Sequence, residues 1–578
     1  MKLQPTRLAS ALAVALALAA GQAAAQPAAQ PSSNATINLI RLLVQQGVLK
    51  QEQADALVQQ AEAEAAQASQ AGAATAGAAG AALAQPGDVR VPYIPETVRE
   101  GIRDEVKAEV MAQAKAENWA QPNTFPDWVS RITVEGDVRA RYESRFFDSG
   151  NSNEIIDYAK WNPNGPIQTV FQNQQYGEDL PILNSRKDRR NLWRIRARLG
   201  VKAQLSDQWM AGIRLATGSD DSPVSTTDTL GGGMSKKDIW LDQAYLTYRP
   251  RDWATLTAGR AANPFVSTDM LYSGDLNFDG ISAVFKKPLP GRPVTLFGTL
   301  GAFALEYSNN PWNYDDQAEG DSENKWLLGA QMGAEWKINT RNTVRGSLAY
   351  YYFDNITGQR SSPCELFSSA DVCNTDWSAP SFMQKGNTLF LLRNVQSRSA
   401  DPDDWNEWQY VGLASKFNLL DVNLDWQTEL FDGLGLRLNG NYIRNLAYDK
   451  DEMIRRADGL YNIASNGTYL EDGTPTGVKS GPNAWMMQAT LGRGIDLRDK
   501  GDWMVFAGYK YIQPDALPDA FNDSTFHLGG TNARGYFLGG GYAFDKNVYG
   551  MLRWTSTKEV YGPPLAIDTV QVEVNARF

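Results

Sequence analysis

The sequence predicts an all-β transmembrane protein, a 16-stranded antiparallel up-and-down β-barrel preceded by an N-terminal helical periplasmic extension. Three observations predict it. The chain opens on a secretory leader, it alternates apolar and polar residues from residue 129 to its end, and its short turns alternate with long gaps.

The leader comes first. Lys2 and Arg7 precede the apolar run 8–20 and the small residues Ala23, Ala24 and Ala25, the layout of a signal peptide over residues 1–25. The run is shorter than the ~20 residues of a spanning helix, and no later segment is long and apolar enough to be one. An exported chain is expected, either free or held in a membrane by strands. A mean hydropathy of -0.41 alongside 50 Gly, 23 Tyr and 17 Trp suits strands, whose lumen-facing polar residues offset the lipid-facing apolar ones. A net charge of -11 argues against a nucleic-acid partner, which usually meets a basic stripe.

Residues 26–126 read as the periplasmic extension. Ile37, Ile40, Leu43 and Val44 line one helical face that Gly47 ends, and Ala54, Leu57, Val58 and Ala61 line a second. An Ala/Gly/Gln linker over 67–87 leads to a third helix, with Val98, Ile102, Val106 and Val110 at four-residue spacing. An envelope-contact or oligomerisation element and a plain helical extension both fit.

The barrel is expected over 127–578. In the first strand Ile132, Val134, Val138, Ala140 and Tyr142 share one face, and Arg131, Glu135, Asp137, Arg139, Arg141 and Glu143 the other. A period of two over more than ten residues crosses a bilayer as a tilted strand. The second strand sets Trp193, Ile195, Ala197, Leu199 and Val201 against Arg194, Arg196, Arg198 and Lys202. Further strands are predicted at 207–217, 238–249, 253–261, 276–287, 293–305, 325–338, 341–353, 406–430, 433–446, 484–496, 502–513, 533–545, 547–557 and 567–578. The even total suits a bacterial single-chain barrel, as does the alternation of short turns with gaps such as 148–189, 354–405 and 447–483. Trp209, Trp240, Trp253, Trp336, Trp485, Trp503 and Trp554 bracket the apolar stretches as interfacial girdles would.

The last strand carries Val570, Val572, Val574, Ala576 and Phe578 on one face. Its terminal aromatic resembles the signal that the barrel-assembly machinery reads by strand pairing. The segments Asp242-Gln243-Ala244-Tyr245-Leu246, Ala258-Gly259-Arg260 and Asn263-Pro264-Phe265, with residues 42–49 before the barrel, resemble the family known as putative porins of proteobacteria. The likeness covers essentially the whole mature chain. It implies a sixteen-stranded pore in the cell outer membrane and leaves the solute undefined.

A barrel of that size encloses water, and lumen charge then sets passage. The expected lining is Arg131, Arg139, Arg141, Arg194, Arg196, Arg198, Lys202 and Arg214, with Arg145 beside them and Glu135, Asp137 and Glu143 opposing. Two readings stay open: a basic wall that attracts anions or faces an acidic inward loop, and a set of arginines paired with those three acids. The segment Pro264 to Leu276 is the expected constricting loop. Cys364 and Cys373, close in sequence and in an oxidising compartment, are expected to form a disulfide.

No metal site, cofactor or catalysis is expected. The single histidine, His527, is placed in an outer loop, and neither a nucleophile elbow nor zinc or phosphate-loop spacing occurs. The function expected is passive diffusion of small hydrophilic solutes. The alternatives are an anion-selective channel with an Arg-lined lumen and a structural or adhesive barrel with a plugged lumen. Expected partners are outer-membrane lipid, the assembly machinery, small polar solutes or ions, and copies of itself in a trimer.

Overall fold

The computed structural model describes residues 127–169, 180–183, 190–219, 222–308, 312–313, 318–319, 323–366, 370–396, 407–431 and 433–578. The leader and the three helices expected before residue 127 lie outside them. A one-turn helix, α1 (Asp127–Ser130), leads into the first strand. The strands are β1 (Ile132–Phe147), β2 (Arg190–Gln204), β3 (Trp209–Thr217), β4 (Ile239–Arg251), β5 (Ala254–Ala262), β6 (Asn277–Pro288), β7 (Val294–Glu306) and β8 (Lys325–Lys337). They continue as β9 (Asn342–Asp354), β10 (Asn418–Glu429), β11 (Gly435–Asn445), β12 (Asn483–Arg493), β13 (Trp503–Ile512), β14 (Ala533–Asp545), β15 (Val548–Glu559) and β16 (Ala566–Arg577).

Each strand pairs antiparallel with its neighbours in chain order, and β1 closes on β16 from Asp137↔Arg577 to Phe147↔Ile567. The result is a closed sixteen-stranded barrel with no free edge. Its outside is apolar. Ile281, Met332 and Met487 are between 61 and 68 % exposed, and Val134, Val138, Leu199, Ile213, Leu300, Leu424 and Val574 join them. A belt this continuous is far larger than the apolar patches that water-soluble monomers leave bare. No helix among the described residues is long and apolar enough to cross a membrane.

Closure needs a glycine. Phe578 exchanges backbone hydrogen bonds of 2.9 and 3.0 Å with Gly136, and its ring covers that residue. A Cβ on Gly136 would stand 2.5 Å from both the Phe578 ring and the Arg198 carbonyl, so a side chain there would push the seam apart.

Short turns join the strands at one end, at 205–208, 252–253, 289–293, 338–341, 430–434, 494–502 and 546–547. The opposite end carries eight connections, all but the last longer than any of these turns: L1 (148–189), L2 (218–238), L3 (263–276), L4 (307–324), L5 (355–417), L6 (446–482), L7 (513–532) and L8 (560–565). One predicted strand, 406–430, is corrected here. The barrel strand begins at Asn418, and the residues described before it belong to L5. Val411, Leu413 and Ala414 are buried, and Val411–Leu413 pairs with Leu389–Leu391 inside the barrel. Alternation with a buried apolar face looks the same in sequence whether lipid or loop covers it.

The interior is not uniformly wet. A single apolar core joins L3 (Phe265, Met270, Leu271, Tyr272), L5 (Leu389, Leu391, Val411, Leu413) and L7 (Ala516, Leu517) to inward residues of β6 to β13, among them Phe303, Leu327, Tyr351, Leu419, Ile443 and Met486. These loops fold into the barrel and pack there.

Candidate functional site

The opposite side of the lumen is charged. The register sets Arg139 of β1 against Arg196 of β2, and Arg141 against Arg194. Like charges directly across a strand pair repel, so the wall requires carboxylates between them. β1 supplies two. Asp137 accepts from the Nε atoms of Arg196 and Arg198 at 2.8 and 2.6 Å. Glu143, 1 % exposed at its side chain, pairs with Arg145 at 2.6 Å, Arg194 at 3.5 Å and Arg141 at 3.6 Å. β16 supplies Glu573, 2.6 Å from Arg141. Lys202 pairs with Glu135 at 2.6 Å, and Arg214 with Asp242 of β4 at 2.5 Å.

The last carboxylate comes from L3. Asp275 lies 3.4 Å from Arg196 and 3.2 Å from Arg198, and also accepts the Thr226 backbone N–H of L2 at 3.1 Å. Burial pushes this carboxyl up, but the two guanidiniums outweigh it and hold it below the ordinary carboxylate range. Arg139 is the exception in the wall. It donates to the Thr227 hydroxyl of L2, its Nε has no partner, and no carboxylate of the described residues reaches ion-pair distance.

L3 itself crosses the barrel. It leaves β5, and Val266 exchanges two 2.8 Å hydrogen bonds with the Gln331 side chain of β8. Thr268 donates to Asn441 of β11 at 2.6 Å, and Asp269 meets Lys510 of β13 at 2.8 Å. β13 stands eight strands from β5, half-way round the sixteen. Burial raises the Asp269 carboxyl, yet Lys510 and Arg553 hold it below its usual range. The loop then returns through Asp275 to the Arg wall. An acidic residue of L3 is thus docked directly on the basic wall.

Residues 33–578 match the family described as putative porin. The chain belongs to that family. The porin also resembles solved structures: the outer-membrane channel DcaP of Acinetobacter baumannii (10 % identity, 77 % of this chain, 97 % of that one, TM-score 0.33), Pseudomonas putida OprB (12 %, 78 %, 95 %, 0.40) and a trimer form of Vibrio cholerae OmpT (9 %, 77 %, 99 %, 0.34). No curated protein matches its sequence. As a porin it sits in the Gram-negative outer membrane and gives passive diffusion through its barrel, short turns toward the periplasm and long loops outward.

Most of the predicted lining meets in one place in this porin. Arg131 does not: it precedes β1, exposed at the periplasmic rim, where its carbonyl accepts from Gln204. Glu135 and Lys202 lie at the same end, below the main cluster. Sequence reasoning missed Asp242, Asp275, Glu573 and Lys510. Glu573 is an inward residue of the final strand that meets β1 on closure, and Asp242 meets Arg214 across neighbouring strands; Asp275 and Lys510 join only through loop folding. The acidic loop residues Asp315, Asp316 and Asp401, Asp403 and Asp404 lie outside the described residues.

His527 is in L7 as expected, but L7 folds inward and buries it. Nδ1 is 2.9 Å from the Thr557 hydroxyl and Nε2 3.3 Å from Glu559. Burial first, then Lys385, lowers its pKa, against the pull of Glu559. Among the described residues no group of three His, Cys, Asp or Glu is arranged to hold a metal. Cys364 and Cys373 form a disulfide in L5, Cα atoms 5.8 Å apart. Trp209, Trp253, Trp336 and Trp503 ring the periplasmic strand ends, while Trp240 and Trp485 lie at outer ends. Trp209 stacks on Tyr248 with centroids 4.6 Å apart, and Trp485 on Tyr509 at 5.4 Å. Trp554 departs from the girdle and sits mid-strand in β15.

Proposed function

We propose that small hydrophilic solutes pass, without chemical change, along the Arg wall of β1 to β3 on which Asp275 of L3 is docked, in a lumen whose charge favours anions. One observation carries this reading: the wall holds more cations than carboxylates, even with Asp275 of L3 paired to Arg196 and Arg198 at 3.4 and 3.2 Å. Eight cations (Arg139, Arg141, Arg145, Arg194, Arg196, Arg198, Lys202, Arg214) meet six carboxylates (Glu135, Asp137, Glu143, Asp242, Asp275, Glu573), and Arg139 is paired with none of them. Guanidinium keeps its charge under partial desolvation and presents a planar donor fork to carboxylate or phosphate.

The test is reversal potential across a planar bilayer in a salt gradient. The wild type is expected to favour anions. Arg196→Gln with Arg198→Gln moves the potential toward cations, and Asp275→Asn moves it further toward anions. An unmoved potential in both variants makes the wall purely structural.

A second reading, a structural barrel with a plugged lumen, draws on the apolar core of L3, L5 and L7. It predicts no conductance at all. Homo-oligomeric assembly also belongs to our proposal. The lipid face of β5 to β8 is a shallow depression floored by Ala258, Ala283, Ala302 and Ala330, which lets a second barrel approach closely. Cross-linking in native membranes is expected to give a three-protomer band.

A further inference from the structure

The outward face of β13 to β16 carries a feature that permeation does not use. Three rows of lipid-facing residues follow one another toward the outer end. Leu538, Trp554 and Val570 form the first, Tyr509, Tyr536, Ser556 and Asp568 the second, and Tyr511, Arg534 and Lys558 the third. Tyr536 and Leu538 are 62 and 43 % exposed, which fixes this face as the outer one. Four residues separate Leu538 from Arg534, about 10 Å along the axis of a tilted strand. The third row therefore lies at headgroup depth if the first lies in hydrocarbon, with the tyrosine row between them at the interface.

In that third row Arg534 is directly opposite Lys558. Two cations in register repel. Among the described residues neither side chain has an ion-pair partner, and the Nε of Arg534 is buried without a hydrogen bond. Between them opens a pocket of about 590 Å3, lined by Arg534, Lys558, Tyr509, Tyr536 and Phe146 together with the carboxylates Asp568 and Asp148. A repulsive pair with an unused buried donor, above an aromatic floor, is a site awaiting an anion.

We infer that Arg534 and Lys558 bind the phosphate of an anionic lipid in the outer leaflet. The site faces the bilayer and not the lumen, so its anion arrives on a hydrophobic body. A phosphate oxygen can take the free Nε–H and an Nη–H of Arg534 together, while Lys558 supplies a point charge. Asp568 and Asp148 line the same pocket and, among the described residues, form no ion pair with either cation; a divalent ion held between them and the phosphate would add to the site.

The experiment titrates the purified full-length barrel in detergent with bis-phosphorylated lipid A, its dephosphorylated form, and inorganic phosphate. Bound lipid is counted by native mass spectrometry. Lipid A is expected to bind and the dephosphorylated form to bind at least tenfold more weakly. Arg534→Gln and Lys558→Gln should each weaken lipid A about fivefold and the double variant about twenty-fold, from roughly 1 kcal/mol per basic contact. Arg534→Lys retains most of the affinity, and Lys287→Gln at the periplasmic rim changes nothing. Equal binding by the double variant, or by dephosphorylated lipid, overturns the inference. Inorganic phosphate that competes at the same concentration as lipid A overturns its lipid part. Gel mobility before and after heating checks that each variant is folded, and the wild-type lipid comparison decides the matter even if one is not.

Discussion

The two sides of the lumen solve one problem in opposite ways. On β1 to β3 the inward residues are arginines and acids, which ion pairs hold to one another and to Asp275 of L3. On β6 to β13 they include Phe303, Tyr351, Leu419 and Ile443, and space is filled by L3, L5 and L7. A tyrosine at Tyr351 with 0 % exposure, edge-on to Phe265 at 5.0 Å and Tyr272 at 5.4 Å, belongs to a protein core and not to a channel wall. The contrast teaches that a barrel of this width is only partly pore. The covalent scaffold is the same on both sides; which loops it admits decides where water can go.

Breaking the packed side is expected to have the largest effect. Tyr351→Ala removes a ring from the centre of the core and should cost about 3–5 kcal/mol. Its readout is a lower temperature at which the barrel loses its compact gel mobility, together with larger single-channel conductance as L3 and L5 loosen. Next comes the charged side. Glu143→Gln leaves Arg141, Arg145 and Arg194 converging on a neutral amide and should cost about 2–4 kcal/mol, with ion selectivity displaced toward anions. An unchanged melting temperature would show that solvent already screens the cluster.

The smallest effect is one of pH, in L7. Burial raises the Asp519 carboxyl from an ordinary value of 3.8 to about 7, and no cation near it outweighs that cost. A raised folded pKa means the packed loop prefers the neutral acid. That stability is fully present below about pH 4 and is lost as pH rises through 7. Proteolysis of residues 513–532 in intact barrels should therefore be slower at pH 5 than at pH 8. Asp519→Asn should shrink the difference, the remainder coming from Asp515, a carboxyl of the same loop that burial also raises.

Much of the barrel was legible from the chain because lipid enforces it. Any strand crossing hydrocarbon must alternate for ten residues, so β1, β2 and β16 could be read one by one, and Arg139, Arg141, Arg194, Arg196 and Arg198 placed in the lumen with them. The core was not legible. Residues 349–353 (Ala-Tyr-Tyr-Tyr-Phe) are apolar on both faces, which marks a strand end with lipid on one side and a docked loop on the other. Read that way, the doubly apolar outer ends of β8 to β10 would have announced an inward-folded L5. Asp275 and Lys510 were beyond reach, since their partners depend on where a fourteen-residue loop lands.

The path of L3 has a mechanical consequence. A hollow cylinder one strand thick flattens easily under uneven lateral pressure, because bending its wall costs little. L3 is pinned at β8, β11, β13 and β2, and so acts as a tie rod across the diameter. Squeezing the cylinder along that line loads hydrogen bonds and ion pairs directly, and the bore keeps its cross-section while the surrounding lipid is compressed or stretched.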